Sequence, residues 1–116
     1  MSEALSKLIE AVATGQAPTG LDVHRADTGH SDHITMVLGA FNGSLDAAKA
    51  LHEALLPGWT TVLGQNAHHG DWSAIVRLTE DGEIAHEYYG GADDLPARAW
   101  LLAILRAYAA QQEPTP

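Results

Sequence analysis

A chain of 116 residues with 46% apolar content is one domain in length and can bury a core without disulfide or metal staples. Fifteen acidic residues against six basic ones leave a net charge of −9. The cations Lys7, Arg25, Lys49, Arg77, Arg98 and Arg106 are scattered rather than clustered, so no nucleic-acid partner is expected. The absence of cysteine excludes disulfides, thiolate zinc sites and cysteine nucleophiles, and fits a reducing, cytoplasmic setting.

Taken in chain order, Ser2 is placed to cap a first helix over about 3–14, in which Leu5, Leu8, Ile9 and Val12 fall on one stripe. Glu3, Ser6, Lys7 and Glu10 interrupt that run, so neither a signal peptide nor a membrane span is expected. Thr14-Gly15 ends the helix, with Gly15 suited to a left-handed C′ position, and Pro18 and Gly20 mark a loop. Residues 21–33 are polar and rich in His and Asp, and carry no clear periodicity. Ile34 to Leu38 reads as a short strand, followed by a turn over Gly39 to Gly43.

Ser44 is a good N-cap for a second helix over about 45–56, with Leu45, Ala48, Leu51 and Leu55 as its apolar stripe and Pro57-Gly58 as its stop. A β-meander over 59–89 follows, with strands Trp59–Gln65, Trp72–Leu78 and Glu83–Tyr89. Asp81-Gly82 marks the hairpin between the last two. Trp72, Ala74, Val76 and Leu78 share one face, while Val62, Ile75 and Tyr89 lie on the other, a mixed surface that calls for a covering layer or a partner. Gly90-Gly91 reads as a tight turn. A last helix over about 95–111 starts near Asp93 or Asp94 and is apolar almost all round from Trp100 to Leu105, the mark of a helix that is central to the core or touched on two sides. The expected fold is α+β: a three- to four-stranded, mainly antiparallel sheet flanked by three helices in a sandwich-like arrangement. It forms one domain over 1–112 with a frayed tail over 113–116.

Ser44-Leu45-Asp46-Ala47-Ala48, the Pro57-Gly58-Trp59 turn, and Tyr89-Gly90-Gly91-Ala92-Asp93-Asp94-Leu95-Pro96-Ala97-Arg98-Ala99 leading into an Ala/Leu-rich helix resemble the small phage and prophage proteins of the phage ABA-sandwich type. The resemblance covers roughly residues 40–110, with a weaker echo at Ala13-Thr14-Gly15. It implies a sheet flanked by helices and a mobile-element origin, and it supplies no catalytic residue.

The sharpest local feature is the segment 24–33, where His24, His30, Asp32 and His33 are candidate ligands for a divalent metal, since neutral imidazole and carboxylate are ordinary zinc donors. His68, His69 and Asp71 are the candidates for a further ligand. His52-Glu53 and His86-Glu87 resemble the start of the zinc-protease motif, but Leu56 and Gly90 stand where its second His belongs. On a strand, His86 and Glu87 point to opposite faces and cannot act as one pair. Glu80, Asp81 and Glu83 sit at a hairpin tip, and there is neither a Gly-x-Ser-x-Gly elbow nor a P-loop. No catalytic residue is therefore assigned. The expected function is that of a non-catalytic accessory protein of phage or prophage origin with a protein partner or self-association. The alternatives are a metal-binding protein using segment 24–33 and an acidic inhibitor of a host nucleic-acid-binding protein.

Overall fold

The computed structural model describes residues 3–26, 32–68 and 70–112. In chain order these form α1 (Glu3–Ala13), α2 (Gly20–Ala26), α3 (Asp32–Phe41), α4 (Leu45–Leu55), β1 (Thr60–Gln65), β2 (Trp72–Glu80), β3 (Glu83–Asp93) and α5 (Pro96–Gln112). The α+β class holds. The sheet has three antiparallel strands in the order β1-β2-β3, and five helices accompany it where three were expected.

Local chemistry sets the helix ends. Gly15, at φ 78°, closes α1 with bonds from its own amide to the Val12 carbonyl and from the Gln16 amide to the Ala11 carbonyl. This paired pattern needs a left-handed residue, which glycine adopts at little cost. Ser44 caps α4 by accepting from the Ala47 amide at 3.1 Å. The expected Ser2 cap and the 113–116 tail lie outside the described residues.

Two helices depart from the sequence reading. α2 begins with a reciprocal box in which the Thr19 amide donates to Asp22 Oδ2 at 2.8 Å and the Asp22 amide donates to Thr19 Oγ1 at 3.2 Å. These bonds, helped by Arg25, hold the Asp22 carboxyl below its ordinary range. α3 replaces the strand expected over Ile34–Leu38. Its β-branched residues suggest a strand, but Ile34, Val37, Leu38 and Phe41 recur at i, i+3, i+4 and i+7. Val37 and Phe41 are buried, while Ile34 and Leu38 pack against the core. Burial of that stripe outweighs a β propensity that spans only about 1 kcal/mol.

α5 is the centre of the molecule. Ala97, Ala99, Leu101 to Leu105, Ala107 and Ala109 are all buried. One side of the helix lies on β2 and β3, and α1, α3 and α4 pack on the remainder. A helix apolar nearly all round is stable only when it is contacted from several directions, and here it is. The helices thus collect on one side of the sheet, with α5 as the layer between the strands and the rest. Arg98 fastens α3 to α5: its Nε donates to the Phe41 carbonyl at 3.0 Å, and its guanidinium carbon sits 4.0 Å from the Phe41 ring centroid.

Gly90-Gly91, expected as a turn, is instead part of β3, which runs on to Asp93 before α5 begins at Pro96. Gly90 is needed for its lack of a side chain. A Cβ there would collide with the Ala99 carbonyl and the Ala103 amide, so the α5 backbone lies directly on the strand. The Asp81-Gly82 hairpin forms as expected, with φ 53° and 81° at its two central residues, the signature of a type I′ turn.

A Cβ at position 90 can be accommodated only by moving α5. Gly90→Ala is therefore expected to lower the unfolding free energy by about 2 kcal/mol or more, measured by urea denaturation monitored by circular dichroism.

Candidate interaction surface

The antiparallel register sorts the side chains of the sheet. Directly opposed residues share a face, which gives the rows Thr61–Val76–Tyr88 and Leu63–Ala74–Gly90 on the helix side. Ala74, Val76 and Gly90 are buried there. The intervening rows, Val62–Ile75–Tyr89 and Thr60–Arg77–Glu87, lie on the side that none of the described helices covers. Val62 is 49% exposed and Tyr89 56% exposed. The three apolar residues singled out from alternation alone thus form one cross-strand row, exposed at Val62 and Tyr89 and half-buried at Ile75.

Beside that row lies a charged group. Arg77 Nε donates to Glu87 Oε2 at 2.6 Å, and the Tyr89 hydroxyl donates to Glu87 Oε1. The Tyr89 bond first, and Arg77 second, hold the Glu87 carboxyl below the usual glutamate range. Because the same bond favours the protonated phenol, Tyr89 is held above the usual tyrosine range. The group escapes a sequence reading because it depends on a bulge. A type I′ turn at 81–82 pairs Glu80 with Glu83 and Thr79 with Ile84, which extrapolates to Arg77 opposite His86. The register shift between Leu78 and Thr79 makes Ala85 the extra residue and sets Arg77 opposite Glu87.

His86 and Glu87 do point to opposite faces. His86 lies against the Trp59 ring, with centroids 6.2 Å apart and planes at 17°, and Tyr88 lies 6.1 Å from the same ring. Trp59, Trp72 and Trp100 are all half-buried and pack against the core.

His52 is the buried polar residue of the core, at 6% exposure. Its Nε2 lies 2.9 Å from the Trp59 carbonyl, and its Nδ1 lies 3.1 Å from Thr61 Oγ1 and 3.3 Å from Trp100 Nε1. A carbonyl can only accept and an indole N–H can only donate, so the proton belongs on Nε2 and Nδ1 is the acceptor. His52 therefore joins α4 to β1 and α5 as a structural residue, and Glu53 beside it is exposed.

The candidate metal ligands are distributed as follows. His24 is exposed in the last turn of α2, whereas Asp32 and His33 open α3. His30 lies outside the described residues, as does His69. His68 is exposed in the β1–β2 loop, where its amide donates to Asn66 Oδ1 at 2.9 Å. Asp71 Oδ1, in the same loop, is buried without a hydrogen-bond partner among the described residues. Among those residues no group of three or more His, Asp or Glu gathers where it could hold a metal ion. Glu80, Asp81 and Glu83 are exposed at the hairpin tip. A cleft of about 370 Å³ lies between α1 and α2. It is lined by Leu8 and by Glu3, Lys7, Asp22 and Arg25, with Lys7 paired to Glu3 at 3.2 Å. No helix of the described residues is long and apolar enough to cross a membrane.

Two predictions follow from these geometries. His52→Leu leaves the Trp59 carbonyl and the Trp100 indole N–H unpaired in the core. It is expected to cost about 2 kcal/mol or more in chemical denaturation, and ¹⁵N NMR of the native imidazole should show the Nε2–H tautomer. The second concerns pH. The stability that Glu87 contributes is present above the ordinary glutamate pKa and is lost as pH falls through its lower folded value. That of Tyr89 is present below the ordinary tyrosine pKa and is lost as pH rises through its higher folded value. Ultraviolet titration of the native protein against Tyr89→Phe should show Tyr89 ionising above ordinary tyrosine, and Glu87→Gln should bring that midpoint down. No protein family, curated protein or solved structure matches the chain.

Proposed function

We propose that this chain is a non-catalytic interaction protein that works through the uncovered face of its sheet. The observation that carries the reading is the row Val62–Ile75–Tyr89, with exposed Val62 and Tyr89 on either side of half-buried Ile75, which spans all three strands on the side away from the helices. A contiguous apolar strip rimmed by polar groups is the usual form of a protein contact. The rim here is Thr60 with the Arg77–Glu87 pair, and the exposed Glu80, Asp81 and Glu83 lie at the hairpin tip. In a chain of net charge −9, the partner that complements this surface is a basic protein with an apolar centre to its contact patch. The resemblance of residues 40–110 to small phage proteins of the ABA-sandwich type supports an accessory role in a mobile element, acting in the cytoplasm.

The test is affinity capture from nuclease-treated cells with the wild-type chain and with Tyr89→Lys run in parallel. Tyr89 is more than half exposed on an outer strand, so this variant is expected to keep the fold. A basic protein held by the wild type at comparable molar amount, lost with Tyr89→Lys and released by raised salt, is the expected result. If nothing is held by the wild type in preference to the variant, the reading fails.

A further inference from the structure

The two outer strands of the sheet are finished very differently. β3 carries an irregularity near each end, one opposite Leu78/Thr79 of β2 and one opposite Trp72/Ala74 of β2. It also bears Glu83 and Glu87, and its Tyr89 carbonyl accepts from Arg106 Nη1 of α5 at 2.8 Å. Bulges, charges and a covering side chain are the ordinary means by which a sheet edge is kept from pairing with another chain. Among the described residues β1 has none of them. Its six residues, Thr60-Thr61-Val62-Leu63-Gly64-Gln65, include no charge and no proline, and they pair with β2 in unbroken register from Thr60↔Arg77 to Gln65↔Trp72. Among the described residues no helix lies along β1. α4 meets it at its N-terminal end, where His52 bonds the Trp59 carbonyl and Thr61 Oγ1. The outer backbone groups of β1 are therefore arrayed as a template for a further strand.

We infer that β1 pairs antiparallel with β1 of a second copy, making one six-stranded sheet across a two-fold axis at Val62. The strand fits its own copy for three reasons. Antiparallel pairing of one strand with itself is symmetric by construction. In a chain of net charge −9, β1 is an uncharged segment, so two copies meet there without opposing like charges across the seam. The third reason is register. Val62 opposite its own counterpart places Thr61 against Leu63 and Thr60 against Gly64. This pairing keeps like faces on one side, so both helical layers stay together. The row Tyr89–Ile75–Val62 then continues without a break into Val62–Ile75–Tyr89 of the second copy. The pairing uses the β1 backbone, so it stands or falls separately from the basic partner proposed above.

The experiment is sedimentation equilibrium of the full chain over micromolar to millimolar concentrations, with ¹³C-filtered NMR of a mixed labelled and unlabelled sample. The expected result is a mass rising with concentration to twice the 12.3 kDa of one chain, with intermolecular contacts from Val62 methyls to Val62 methyls and from Thr61 to Leu63. Val62→Lys, which places two ammonium groups on the axis, should raise the dimer Kd by about tenfold or more. Tyr89→Lys, two strands away, should leave the Kd unchanged. Circular dichroism checks the fold of each variant, and the wild-type NMR contacts carry the test should Val62→Lys lose its structure. A single-chain mass at the highest concentration would overturn the inference. A dimer indifferent to Val62→Lys, or one dissociated by Tyr89→Lys, would do the same, since the latter would mean association through the open face.

Discussion

The closeness of α5 to β3 is the constraint on which the rest of the structure depends. Because position 90 has no side chain, the helix backbone comes down onto the strand, and nine residues of α5 are buried as a result. Everything else packs on the far sides of that helix. α3 and α4 form a tight pair in which a Cβ at Gly39 would stand only 2.9 Å from the Ala47 Cβ, so small residues again set the spacing. α1 closes the remaining flank. The alanines of α5 give the same result from the helix side, since thin side chains let three neighbouring helices approach a common axis. His52 and Arg98 add polar fastenings at two edges of this arrangement, each crossing between elements far apart in the chain.

This one-sided stacking leaves two surfaces of the sheet without a cover among the described residues. With the helices gathered on one face, the other face of the sheet keeps its apolar row in solvent. With α5 lying over β2 and β3, the protection of the sheet edge falls on β3 and stops short of β1. The open face and the bare edge are thus both consequences of where the last helix lands.

What could be read from the sequence was whatever local chemistry decides. The Ser44 cap, the Gly15 terminus, the Asp81-Gly82 hairpin and the face shared by Val62, Ile75 and Tyr89 each follow from a few neighbouring residues, and each is found in the structure. Two kinds of feature were not readable in this way. The first depends on which of two overlapping patterns wins: Ile34 to Phe41 carries both a β-branched run and a helical stripe, and only the shape of the surrounding core favours the stripe. The Thr19/Asp22 box before α2 was available as a signal and is compatible with the polar character of that segment. The second kind depends on a one-residue irregularity. Arg77 meets the Glu87–Tyr89 pair only because Ala85 is an extra residue in β3, and alternation along either strand does not show that. Gly90 belongs to the same class, since a glycine needed for close packing and a glycine needed for a turn look alike in one dimension.

The central helix is also the last element of the described chain. During synthesis the four earlier helices and the three strands therefore leave the ribosome before the surface that joins them exists. Until α5 emerges, the apolar faces of α1, α3 and α4 and the inner side of the sheet have no common partner. Completion of the core therefore waits for α5, and until then the negative charge of the chain helps to keep the exposed apolar faces apart.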